Sequence, residues 1–205
     1  MYGAAAAESI GVAIAEKAVL WTDDQFLAAK AEELLFSNRV WTDVVLEHLE
    51  ESDGINHLTF CELKVQLIDF GYLFSRINPS VLRFAGELCN WQADSRPLRS
   101  IVDWLYLPNV TEVGAVVIGL KLIQLGWTEC ALAHSREKIV KEVCRSIAKR
   151  PDVASVLRSM DRQLTNIFGF DVSSEEWCRR VIHSEIRLAT RERSLILPDD
   201  PDWRI

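Results

Sequence analysis

The sequence predicts an α/β (α+β) fold, a small β-sheet set among helices, and three observations carry that expectation. Residues 43–49 and 55–60 are runs rich in Val, Leu, Ile, Thr and Phe on either side of Asp53-Gly54. A tight hairpin turn needs a positive φ, which Gly accepts, so the pairing predicts antiparallel strands. The next segment changes period: Leu63, Leu67, Phe70, Phe74 and Ile77 recur at three and four, one face of a helix. Beyond it the chain alternates helical stripes with Gly and Pro stops.

Each element follows in order. Residues 4–20 predict a helix with Ile10, Ile14 and Ala18 on one side. Thr22 can cap a second helix reaching Phe36, with Gln25 at the capping-box position and Leu27, Ala31, Leu34 and Leu35 as its stripe. The triplet Trp41-Thr42-Asp43 repeats Trp21-Thr22-Asp23, which invites a helix start. Its successors Val44-Val45 are β-branched and favour the strand. Asn78-Pro79 breaks the helix from Leu63. Residues 81–88 suit a strand or a helix. Thr111 to Leu125 reads as a buried helix ended by Gly126, followed by another from 129 to about 149. Pro151 restarts helix towards Phe168, Ser173 to Glu176 is a capping box opening the last helix, and Pro198 and Pro201 mark an irregular tail.

Composition narrows the class. Apolar residues make up 49% and charged residues 26%, a globular balance. Residues 113–125, the most apolar helical stretch, fall short of the ~20 residues of a bilayer crossing and contain Lys121 and Gln124. The Ala-rich start contains Glu8 and Glu16 and lacks a basic n-region, so no secretory signal is expected. Five scattered cysteines without a Cys-x-x-Cys pair predict buried, reduced thiols and a cytoplasmic or nuclear setting. The net charge is −7, with thirteen Lys or Arg against nine Asp or Glu in residues 130–193.

Local chemistry is sparse. The stretch from Glu51 to Glu62 places Ile55 and Asn56 where a calcium loop needs an oxygen ligand and a Gly. Cys130 and His134 form half of a zinc set with no second pair. Neither Gly-x-Ser-x-Gly nor a phosphate-cradling Gly loop occurs, so no catalytic residue, metal or cofactor is assigned and the chain reads as a non-enzyme. Lys138, Lys141, Arg145 and Lys149 could face phosphates, but Glu137 with Lys141 and Lys138 with Glu142 make i,i+4 pairs on a solvated face. Nucleic acid and membrane are therefore not expected as partners.

Asp43-Val44-Val45-Leu46, then Phe60, Lys64, Leu67 and Phe74 in register with Ile77 beyond, resembles the opening of a BTB (POZ) domain. Residues 97–110 look like that family's helix ending in an apolar-Tyr pair, here Leu105-Tyr106, and residues 111–140 like its closing helical pair. The family His and Ser are Leu63 and Gly71 here. The resemblance implies a BTB domain over 39–140, a helical extension over 1–38, a helical arm over 141–197 and a tail over 198–205. It further implies a homodimeric adaptor presenting a client protein. Its dimer interface would use Leu27, Ala31, Leu34 and Leu35, with Asp43 and Lys64 at a charged pocket on the dimer face. Many such proteins engage a cullin of a ubiquitin ligase through an apolar-x-Glu motif; Leu82, Arg83 and Phe84 would face it. Phe84 in place of the Glu would leave donors unpaired at about 1–3 kcal/mol. The alternatives are a scaffold or transcriptional co-regulator without a ligase, and an all-helical interaction protein lacking this topology.

Overall fold

The computed structural model describes residues 4–23, 25–34, 38–72, 76–168 and 172–196, without the side chains of 4–7, 25–26, 172, 186, 189–190 and 192–196. It is mostly helical. The described residues form ten helices and a single two-stranded sheet, so the expected α/β BTB architecture is not what the chain adopts. The chain divides into two compact units, one of residues 1–64 and 74–76, the other of 65–73 and 77–205.

The first unit contains α1 (Ala4–Ala15), β1 (Leu20–Trp21), α2 (Gln25–Glu33), β2 (Arg39–Val40), α3 (Thr42–Glu51) and the start of α4 (His57–Asp69). Strands β1 and β2 are parallel, with Leu20 opposite Arg39 and Trp21 opposite Val40. Ile10, Ala13, Leu20 and Ala31 form a small core against which Leu27 packs. The expected stripe of α1 is turned by one position: Ala13 is buried, whereas Ile14 is 45% exposed.

The predicted hairpin is absent because residues 43–49 lie in α3 and 57–60 open α4. Asp43 and Leu46 are buried and Leu49 half-buried, an i, i+3, i+6 arc on one face of α3. Val44, the main argument for a strand, is exposed and free to be helical. The first two Trp-Thr-Asp triplets meet. Asp23 accepts the Thr42 backbone N–H at 2.9 Å and the Thr42 hydroxyl, while Trp21 Nε1 donates to that hydroxyl at 2.9 Å. The start of α3 is thus capped by a residue from the earlier triplet.

Asp53-Gly54 is a helix stop instead of a hairpin turn. Asp53 takes the left-handed φ of 56°, Gly54 N–H donates to Leu49 O at 2.8 Å and Asp53 N–H to Glu50 O at 3.1 Å, a Schellman closure. The same pair of bonds closes α1 at Lys17 (φ 52°) and α4 at Gly71 (φ 82°). Asn56 then caps α4, its side chain accepting the Thr59 N–H at 2.8 Å. Starting there, α4 buries Phe60, Cys61, Lys64, Val65 and Ile68. The expected face is rotated away, and Phe70 is 89% exposed.

The second unit is a helical bundle of α5 (Pro79–Leu88), α6 (Leu98–Trp104), α7 (Glu112–Glu129), α8 (Ala133–Ala148), α9 (Val153–Phe168) and α10 (Val172–Ile196). Asn78 caps α5 by accepting the Val81 N–H at 2.9 Å with Pro79 in the first turn, which settles residues 81–88 as helix. Asn90 (φ 51°) closes it. Central α7 packs on α5, α8 and α9, and α8 also packs on α10.

Gly126 does not end α7, which continues through Trp127 and Thr128 to Glu129. A Cβ there would sit 2.7 Å from Ile139 Cδ1, so the missing side chain admits α8 at close range. Arg150, 4% exposed, joins separate parts of this unit: it donates to Leu105 O at 2.8 Å, to Val110 O at 3.0 Å and to both Asp152 oxygens at 2.7 and 2.8 Å.

Candidate functional site

The expected dimer and cullin residues are placed as follows. Lys64 and Asp43 do meet, as a salt bridge whose side chains are 0% and 2% exposed. Asp43 also accepts the Arg76 backbone N–H at 3.0 Å, and Glu47 lies 3.6 Å from Lys64 Nζ. A buried, paired charge of this kind holds α3 to α4. Ala31 is fully buried and Leu27 packs on the same core, so these two find their apolar neighbours within the chain. Leu34 is 54% exposed, and Leu35 lies outside the described residues.

Leu82 is buried, Phe84 half-buried, and Arg83 is tied to Glu129 at 2.8 Å. The three form a turn of α5 instead of a loop after a helix. The basic stripe of α8 is also occupied: Lys138 pairs with Asp94 at 2.7 Å, Lys141 with Glu137 at 2.6 Å and Arg145 with Glu142 at 2.7 Å, while Lys149 lies 4.7 Å from the Tyr106 ring centroid.

Glu50, His57 and Cys61 form a chain that the sequence did not announce. His57 Nδ1 contacts Glu50 Oε1, and its Nε2 lies 3.6 Å from Cys61 Sγ. This has the order of orienter, base and nucleophile. Its electrostatics oppose that use: burial first, and the Glu50 charge second, push the Cys61 thiol pKa up, and the residue is 3% exposed. A thiol kept protonated and covered is a poor nucleophile. All five cysteines are free and buried. No group of three or more metal-ligating side chains occurs among the described residues, and His134 is exposed.

A groove opens where α5, α7 and α9 come together. It encloses about 320 Å³. Leu82 and Ile118 lie at its apolar walls with Pro79 and Ile167, and Gln163 and Asn166 supply polar edges. Lys121, also lining it, donates to Gln124 Oε1 at 2.8 Å. Val117 lines it while 51% exposed, and Val113, one turn earlier on the same face of α7, is 71% exposed.

Val117, Lys121 and Gln124, with exposed Val113 a turn before them, are what sequence could have shown of this groove. They recur at four, four and three, one stripe of α7. The general apolarity of the helix masked it. No helix among the described residues is long and apolar enough to cross a membrane. No family model matches this chain, and neither a curated protein nor a solved structure was found to match it.

Proposed function

We propose that this chain is a helical protein-interaction module that receives an apolar segment of a client protein in the groove of α5, α7 and α9. The supporting observation is the continuity of that groove with the exposed Val113 and Val117 stripe. Exposed apolar surface rimmed by polar side chains is costly to leave in water and suits an amphipathic helix presenting residues at three- and four-residue spacing. Lys121 is the one titratable side chain among the lining residues, and it is engaged with Gln124, which favours binding over chemistry.

The test is selection of peptides from a displayed random library against the full chain. Enriched sequences should share apolar residues three or four apart, bind with micromolar Kd, and lose at least tenfold on Val117→Lys. Val117 is exposed enough for that variant to keep its circular dichroism spectrum. If no enriched peptide depends on Val117, the groove is not the docking site.

A further inference from the structure

A second cleft of about 440 Å³ lies beside the first turns of α8 and α10, with Trp127 of α7 at its base. Its character differs from that of the groove. The Trp127 and Trp177 ring centroids are 5.2 Å apart at 43°, and Trp127 Nε1 donates to Ser174 Oγ at 3.0 Å, which fixes the indole. Phe168 meets the other part of Trp127 edge-on at 5.6 Å. Two indoles therefore present a rigid aromatic surface to the opening.

Arg136 is the cation that lines this cleft beside the indoles. Its Nε donates to Cys130 O at 2.7 Å, and its guanidinium carbon lies 5.9 Å from the Trp127 ring centroid. These two contacts hold the guanidinium in place without using its terminal nitrogens. Among the described residues those nitrogens have no hydrogen-bond or ion-pair partner. The other charge lining the cleft, Glu137, is paired with Lys141 at 2.6 Å. Exposed His134 stands on the same wall and supplies a further nitrogen.

A guanidinium fixed through Nε offers two parallel N–H groups to the oxygens of a planar or tetrahedral oxyanion. Beside it, an indole pair favours a flat apolar body. We infer that this cleft binds an oxyanion carried on an aromatic ring, an aryl phosphate in preference to an aryl carboxylate. The phosphate is preferred because its double charge and tetrahedral oxygens gain more from the fixed Arg136 fork, and exposed His134 also lines the cleft. The site is separate from the groove and stands whether or not the groove binds a client.

Tryptophan fluorescence and calorimetry with phenyl phosphate on the full chain test it. Saturable binding is expected with a Kd of about 0.1–1 mM, the range a fragment of this size reaches. Inorganic phosphate and benzoate should each bind at least fivefold more weakly. Arg136→Lys keeps the charge but loses the planar fork, and should weaken phenyl phosphate at least tenfold. Trp177→Leu should weaken it while leaving the weak inorganic phosphate binding unchanged, and Val117→Lys should change neither. No saturable binding by the wild type, equal binding of inorganic phosphate, tighter binding of benzoate, or full affinity in a folded Arg136→Lys variant would each overturn the assignment.

Discussion

Removing the charge of Asp43 is the sharpest probe of the first unit. Lys64 is fully buried and Asp43 nearly so, and a unit charge pair at about 4 Å is worth roughly 4 kcal/mol at the effective dielectric of protein sites. Breaking a buried pair from one side leaves an uncompensated charge, typically about 3–5 kcal/mol. Here Glu47 remains 3.6 Å from Lys64, but its side chain is 31% exposed and its field is partly screened, which places Asp43→Asn near the lower end, about 3 kcal/mol. Asp43→Ala also removes the acceptor of the Arg76 N–H and should cost about 1–3 kcal/mol more. The double variant Asp43→Asn with Lys64→Met removes both charges and should recover most of the loss. Urea titrations followed by far-ultraviolet circular dichroism measure all of these. A loss below about 1 kcal/mol for Asp43→Asn would mean that water reaches Lys64 and that the pair is not a buried one.

The remaining predictions concern single positions. Gly126→Ala should destabilise by about 1–3 kcal/mol in thermal melts, because its Cβ would meet Ile139 Cδ1 at 2.7 Å, and Ile139→Val, which removes that atom, should restore part of the loss. Lys17→Gly should raise stability by about 1 kcal/mol in the same melts, since a side chain at φ 52° carries the left-handed penalty that Gly avoids. The Arg150 guanidinium hydrogen-bonded to Asp152 holds that carboxyl below its usual pKa. A depressed folded pKa stabilises above the unfolded pKa and is lost as pH falls through the folded one. Unfolding curves between pH 2 and 6 should therefore show wild type and Asp152→Asn converging in the acid range and separating above it.

Thr111, where the sequence begins its buried helix, caps α7 by accepting the Gly114 N–H at 3.1 Å, but Asn56 and Asn78, which cap α4 and α5 in the same way, fall where the sequence reads as a strand and as a helix break. Asp53-Gly54 was misread because hairpin turns and Schellman closures ask for the same thing, one residue at positive φ. β-branching at Val44-Val45 argues against a helix start at Trp41-Thr42-Asp43, yet Asp23, the residue that caps it, is nineteen positions earlier. Local propensity cannot register a cap supplied from that distance. Gly126 shows the converse error: a residue read as a terminator for its backbone freedom is present for its lack of volume, which only the position of Ile139 reveals.

The groove and the cleft leave little trace in the sequence, for a reason visible in their parts. Asp43 and Lys64 do meet, but the resemblance that implies them at a dimer face carries no measure of burial, and their side chains are 2% and 0% exposed. The groove draws on α5, α7 and α9, and the aromatic cleft on α7, α8 and α10, each helix giving one or a few residues with no shared spacing. Arg136 illustrates the limit. In sequence it is another basic residue on α8, next to Lys138, Lys141 and Arg145, which fold into ion pairs. What separates it is negative and three-dimensional: the carbonyl of Cys130 and the face of Trp127 occupy its Nε and its plane, and no carboxylate among the described residues reaches its terminal nitrogens. A fixed guanidinium of this kind is defined by what fails to approach its outer nitrogens, so substitution at Arg136 removes the Cys130 O hydrogen bond but no ion pair, and its effect on ligand affinity is read beside the stability of the same variant.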